Sequence, residues 1–228
     1  MLRGTTAALA AIALLLTLGA CSLLDRATDD PGQGSTGSGS EDSQGVGEPT
    51  SLDPALLECG DPKLSDSSLT LPDIDLQQTS WATPAGFQES FIYQEDRPVE
   101  HLESFWAAEP ADNPVNLNAL AVAIYSDLDW GEDADDCGRV LLTAINERLE
   151  GYNTENGATA LTEVTTVDIG GMSVLQQDLS FPEYLYRGYW IFSRDQMVHV
   201  YCQWTSDAEK SRILAGCDEL IGSVQLPG

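Results

Sequence analysis

Two histidines, His101 and His199, are the only imidazoles in a chain of 228 residues. Any Ser–His or Cys–His nucleophile would have to use one of them. No Gly-x-Ser-x-Gly turn accompanies them, and the nearest candidate, Gly170-Gly171-Met172-Ser173, does not match. His101 lies three residues before Ser104 in a segment read below as helical, where a solvated side chain is expected. His199 alternates with Val198 and Val200, which puts it on the opposite sheet face with Met197 and Tyr201. That pattern predicts a structural or pocket-lining imidazole. A glycosidase needs two carboxylates at a set separation, but among 37 acidic residues some pair can always be named. The chain is therefore expected not to be an enzyme.

Binding chemistry has three candidates. The densest acidic run, residues 127–136, offers Asp127, Asp129 and Asp133 as weak calcium ligands. Asp127 and Asp129 match the first two ligands of a calcium loop. However, Gly131 comes one place early and Gly138 stands at the twelfth position, so the loop pattern fails. The run is expected instead to favour the N-terminus of a following helix through its dipole. The second candidate is an aromatic set, Tyr186 and Trp190 with His199, which would either bind a ligand or fill a sheet–helix core. The third is cysteine. No Cys-x-x-Cys or Cys/His cluster is present, so zinc is not expected, nor any other cofactor. Cys59, Cys137, Cys202 and Cys217 form an even set, as in exported chains with two disulfides. Three pairings are possible; the expected one joins Cys202 to Cys217 and Cys59 to Cys137.

The fifth cysteine sets the expected location. Arg3 supplies a positive start, and residues 7–16 form an apolar run of about ten residues, too short for a bilayer span of about 20. Leu18-Gly19-Ala20-Cys21 follows and resembles the bacterial lipobox, in which the thiol receives a diacylglyceryl group before cleavage. The expected organisation is a lipoprotein signal peptide at 1–20, lipidated Cys21 with an acidic Gly/Ser-rich linker over 21–55, and one domain over 56–228. About thirty such linker residues have an r.m.s. reach of roughly 30 Å. Attached acyl chains would place the protein on the extracytoplasmic face of the cell membrane. The net charge of −27 disfavours nucleic acid, whose phosphates need Lys and Arg. Two lysines only, Lys63 and Lys210, accompany eight arginines.

The elements that would position these residues follow from periodicity. Residues 69–71 and 87–93 suggest short strands. Pro98 suits a helix's first turn, and Val99, Leu102, Phe105 and Trp106 fall on one helical face. Residues 117–126 are apolar on both alternating sides and predict a central strand. Residues 137–152 predict a helix, with Leu141, Ile145 and Leu149 four apart. Two hairpins follow, 159–181 turning at Gly170-Gly171 and 184–204 turning at 194–196. Ser206 and Glu209 spell a capping box for a last helix, with Ile213, Leu214, Cys217, Leu220 and Ile221 on its buried side. The fold class expected is α+β, an antiparallel sheet of about six strands covered by helices.

The Pro84-Ala85-Gly86-Phe87 entry turn, the Asp168-Ile169-Gly170-Gly171-Met172 hairpin and the closing strand–helix from Val198 to Leu220, followed by Ser223, resemble the PsbP-like family. Actinobacterial cell-envelope lipoproteins belong to it. The resemblance implies an accessory or binding protein and supplies no catalytic residue. The expected role is a lipid-anchored module that binds an envelope protein or cell-wall component. The alternative is a small-ligand or calcium-binding lipoprotein associated with transport.

Overall fold

The computed structural model describes residues 67–114 and 117–227. Three short or medium elements precede the central strand: β1 (Ser68–Thr70), β2 (Phe87–Glu89) and β3 (His101–Pro110). The central strand is β4 (Ala119–Ser126), and β5 (Arg139–Leu141) leads directly into α1 (Leu142–Asn156). Then come β6 (Thr159–Ala160), β7 (Thr165–Ile169), β8 (Met172–Ser180), β9 (Leu185–Phe192), β10 (Met197–Trp204) and α2 (Asp207–Gly222). The fold class is α+β. An antiparallel sheet of eight strands runs β2-β3-β4-β10-β9-β8-β6, with β7 also on β8, while β1 and β5 pair separately.

All eight residues of β4 are buried, as its two-sided apolar sequence requires of a strand covered on both faces. Leu120, Val122 and Ile124 join Val198, Val200, Cys202 and Trp204 beneath Ile213, Cys217, Leu220 and Ile221 of α2. On the other face Ala123 and Tyr125 join Trp190, Phe192 and Met197 beneath Ile145 and Leu149 of α1, with Leu71 and Val140 closing the edge. Burying one such large apolar side chain stabilises by about 1.5–3 kcal/mol. The Cys202 and Cys217 sulfurs are 1.97 Å apart, a disulfide that ties β10 to α2. Cys137 is also disulfide-bonded; Cys59, its expected partner, lies outside the described residues, as do Cys21 and the tether.

The first expected helix is a strand. Leu102 pairs with Tyr125 and Phe105 with Ala123, while Glu103 is an extra residue between Leu102 and Ser104. That bulge puts two residues three apart on one sheet face and so imitates helical spacing. His101 consequently sits at an exposed strand start beside Glu103. The second helix starts at Leu142 rather than at 137. Gly138 takes a left-handed φ of 72°, its carbonyl accepts from the Leu71 amide, and β1 captures residues 139–141 as a strand. The acidic run therefore caps no helix. Glu132 and Asp133 lie in a 3₁₀ turn (Gly131–Asp133), and the first turn of α1 has no acidic residue. The box expected at α2 does not form either: Ser206 makes no side-chain cap, and Glu209 pairs with Arg212.

Candidate functional site

Alanine on one side of two neighbouring strands leaves space that larger residues would fill. Ala119 and Ala121 of β4 and Ala107 of β3 point toward the α1 side of the sheet, where a cleft of about 630 Å³ opens. Its floor continues through His199, Tyr201 and Gln203 of β10 and Tyr186 of β9. One wall is the β8–β9 turn with Phe181 and Tyr184; the other is the 93–99 segment before β3, which carries Glu95. The size suits a small molecule, since ligand pockets run about 300–1,000 Å³.

The rings form a continuous series. Phe181 stacks on Tyr184 at 4.7 Å and on Tyr186 at 5.2 Å between centroids. Tyr186 approaches Tyr201 at 5.6 Å, Tyr201 approaches His199 at 4.9 Å, and His199 stacks on Trp190 at 5.0 Å and 10°. Gly188 makes the last contact possible. A Cβ there would lie 2.6 Å from the Trp190 ring and 3.0 Å from that of Tyr186.

The polar groups are few. Tyr201 Oη donates to Glu95 Oε2 at 3.1 Å. Arg97 turns to the end of α1, where its Nη1 donates to the Asn156 carbonyl at 2.9 Å. His199 Nε2 is buried and has no hydrogen-bond partner. Burial without a counter-charge holds the His199 pKa down to about 3, so the ring is neutral near pH 7. Burial, and then the Glu95 charge, push the phenols of Tyr125 and Tyr201 well above their ordinary value; for Tyr186 burial dominates, followed by Tyr184. All three stay protonated.

Of the residues singled out in the sequence, Tyr186 and His199 line the cleft, and Trp190 lies buried behind His199. Tyr125, Tyr184, Tyr201 and Phe181 also line it, and Glu95 was not anticipated. The alternation that placed Tyr125 with the alanines of β4 could have located the floor. No periodicity marks Glu95, which comes from an irregular segment. The acidic candidates do not assemble. Asp129 Oδ1 accepts from the Gly131 amide at 2.8 Å, and no group of three His, Cys, Asp or Glu side chains that could hold a metal ion occurs among the described residues. Asp135 instead builds the turn: its Oδ1 accepts from the Cys137 and Arg139 amides, both at 2.9 Å, and its carboxylate pairs with the Arg139 guanidinium. Those contacts, led by the Arg139 amide, hold its pKa below the usual value.

Together these features describe an α+β protein with an aromatic cleft on one sheet face. No protein-family profile and no curated protein matches the chain. Among solved structures it is similar to the solution structure of a cyanobacterial PsbP (CyanoP) from Synechocystis, with 11% identity and a TM-score of 0.45 over 71% of this chain and 93% of that one. It is also similar to a protein of Bacteroides thetaiotaomicron, with 11% identity and a TM-score of 0.41 over 71% of this chain. The chain spans about half of that second protein, 48% of its length. No helix among the described residues is long and apolar enough to cross a membrane.

Proposed function

We propose that the protein is a lipoprotein anchored through Cys21 on the extracytoplasmic face of the cell membrane, with a non-enzymatic domain that binds an envelope component. The observation that carries the binding role is the aromatic cleft, sized for a small molecule or for one protruding group of a larger one. The histidines support a non-catalytic reading: His101 is an exposed edge residue, and His199 Nε2 meets no nucleophile. The lipobox-like stretch and the Gly/Ser-rich tether support the location, as the PsbP-like likeness of the sequence supports an accessory role. Phe91 and Ile92, exposed at 85% and 71% just before the cleft wall, favour a second reading in which a partner protein docks at the same rim.

A photo-crosslinker at Glu183, on the cleft rim, tests this in intact cells. The expected result is one recurrent envelope component. It disappears when Ala121→Trp fills the cleft and also when Cys21→Ala removes the anchor. Capture unchanged by a folded Ala121→Trp protein would overturn the role of the cleft. Capture unchanged by Cys21→Ala would overturn the anchor.

A further inference from the structure

The electrostatics of the cleft are one-sided. Glu95, Asp96 and Glu183 line it against a single guanidinium, Arg97, whose Nη1 is engaged by the Asn156 carbonyl. His199 adds no positive charge and the tyrosines add no negative one, so the charged groups lining the cleft are these three carboxylates and Arg97. Aromatic rings carry a negative face and attract cations, most strongly where water is displaced. His199 is 8% exposed, lines the cleft and leaves a buried Nε2 without a hydrogen-bond partner. The chain's net charge of −27 would also raise the local concentration of cations and lower that of anions.

We propose that the cleft receives an organic ammonium group, held beside Glu95 by the surrounding rings of Tyr125, Tyr184, Tyr186 and Tyr201. This rests on the reading of the cleft as a ligand site and names the chemistry of what it takes. Phosphates, carboxylates and other anions are disfavoured, because three carboxylates outnumber the one guanidinium, Arg97. An inorganic cation would use the rings poorly and find too few oxygens, since calcium takes six to eight. A substituted ammonium fits within the volume and presents a diffuse charge to the rings.

The test compares choline with dimethylbutanol, its uncharged carbon isostere, by calorimetry on the full chain. Choline is expected to bind at least about tenfold more tightly, which is about 1.4 kcal/mol and lies within the range of a partly desolvated cation–ring contact. Glu95→Gln, nearly isosteric, removes the carboxylate's share of the attraction and should weaken choline severalfold while leaving dimethylbutanol unchanged. Tyr201→Phe, which keeps the ring, should cost choline less than Glu95→Gln does. Equal binding of the two probes, choline binding indifferent to Glu95→Gln, or no binding of either would overturn the inference. Equal binding of choline and dimethylbutanol, both blocked by Ala121→Trp, would leave the binding role standing while removing the cation. A rim crosslink that persists in the folded Ala121→Trp protein as well would remove both.

Discussion

His199 is neutral at a depth where its protonated form has no partner, and this links folding to acidity. The unfolded imidazole takes a proton below about pH 6.5, whereas the folded one resists until about pH 3. Its contribution to stability is therefore full above the unfolded value and is lost as pH falls through that window. Each pH unit inside it should cost about 1.4 kcal/mol. Urea midpoints measured from pH 7 to pH 4 should fall more steeply for the native protein than for His199→Phe. Identical slopes would show that another group controls the acid limb. At the alkaline end the signs reverse in form: Tyr125, Tyr186 and Tyr201 keep their protons when folded, so unfolding gains as pH rises above about 10. Gly188 is the other residue with a sharp requirement. Gly188→Ala forces the Trp190 and Tyr186 rings apart and should destabilise by about 1–3 kcal/mol. A changed near-ultraviolet dichroism should accompany the lower melting point, and unchanged spectra would mean that the rings accommodate a methyl group.

At the scale of elements, the disulfide and the β3 bulge lend themselves to test. Replacing Cys202 and Cys217 together by Ser opens a fifteen-residue separation between β10 and α2. The expected loss is about 3 kcal/mol, read from denaturant midpoints. A loss near zero would mean that core packing alone holds α2. The bulge explains which elements the sequence disclosed. The β7–β8 and β9–β10 hairpins were legible from alternation and from Gly170-Gly171, whose φ of 63° and 86° fit a tight turn, although the strand expected over 159–169 is two, β6 and β7, parted at residues 161–164. β4 was legible because both its faces are apolar. β3 was not, because one inserted residue turned a period of two into a spacing of three between Leu102 and Phe105. The start of α1 was misplaced because β1, far away in sequence, competes for residues 139–141. The cleft was half legible. Alternation put Tyr186 with Trp190 in one strand and His199 with Tyr201 in the next, but Glu95 arrives from a segment whose position only tertiary packing decides. Deleting Glu103 tests the bulge directly. Leu102 and Ser104 would pair with their present partners in regular succession, so the fold should survive at a cost of about 1 kcal/mol or less. Deleting Ala107 instead shifts register within the core strand pair and should prevent folding, as circular dichroism would report.

For the whole molecule, the dominant quantity is charge. Thirty-seven acidic residues against ten basic ones give mutual repulsion that the folded state concentrates. Screening length falls from about 10 Å at 0.1 M salt to about 3 Å at 1 M. The melting temperature should therefore rise with added sodium chloride. A flat response would mean that the four salt-bridged arginines among the described residues, Arg139, Arg148, Arg187 and Arg212, already balance the fields that matter.

The irregularity at Glu103 has a meaning beyond the shape of one strand. β2 pairs only with residues 108–110 of β3, so among the described residues much of that strand's outer margin carries backbone groups with no neighbouring strand of the sheet. A straight margin of that kind is a template on which a second chain can grow as an added strand. The extra residue bends it, and His101, Glu103 and Ser104 stand exposed along it. The kink thus works as a guard against chain-to-chain polymerisation, a hazard that grows wherever molecules crowd side by side. The Glu103 deletion should consequently stay folded and yet form fibrillar or scattering aggregates sooner than the native protein during mild heating.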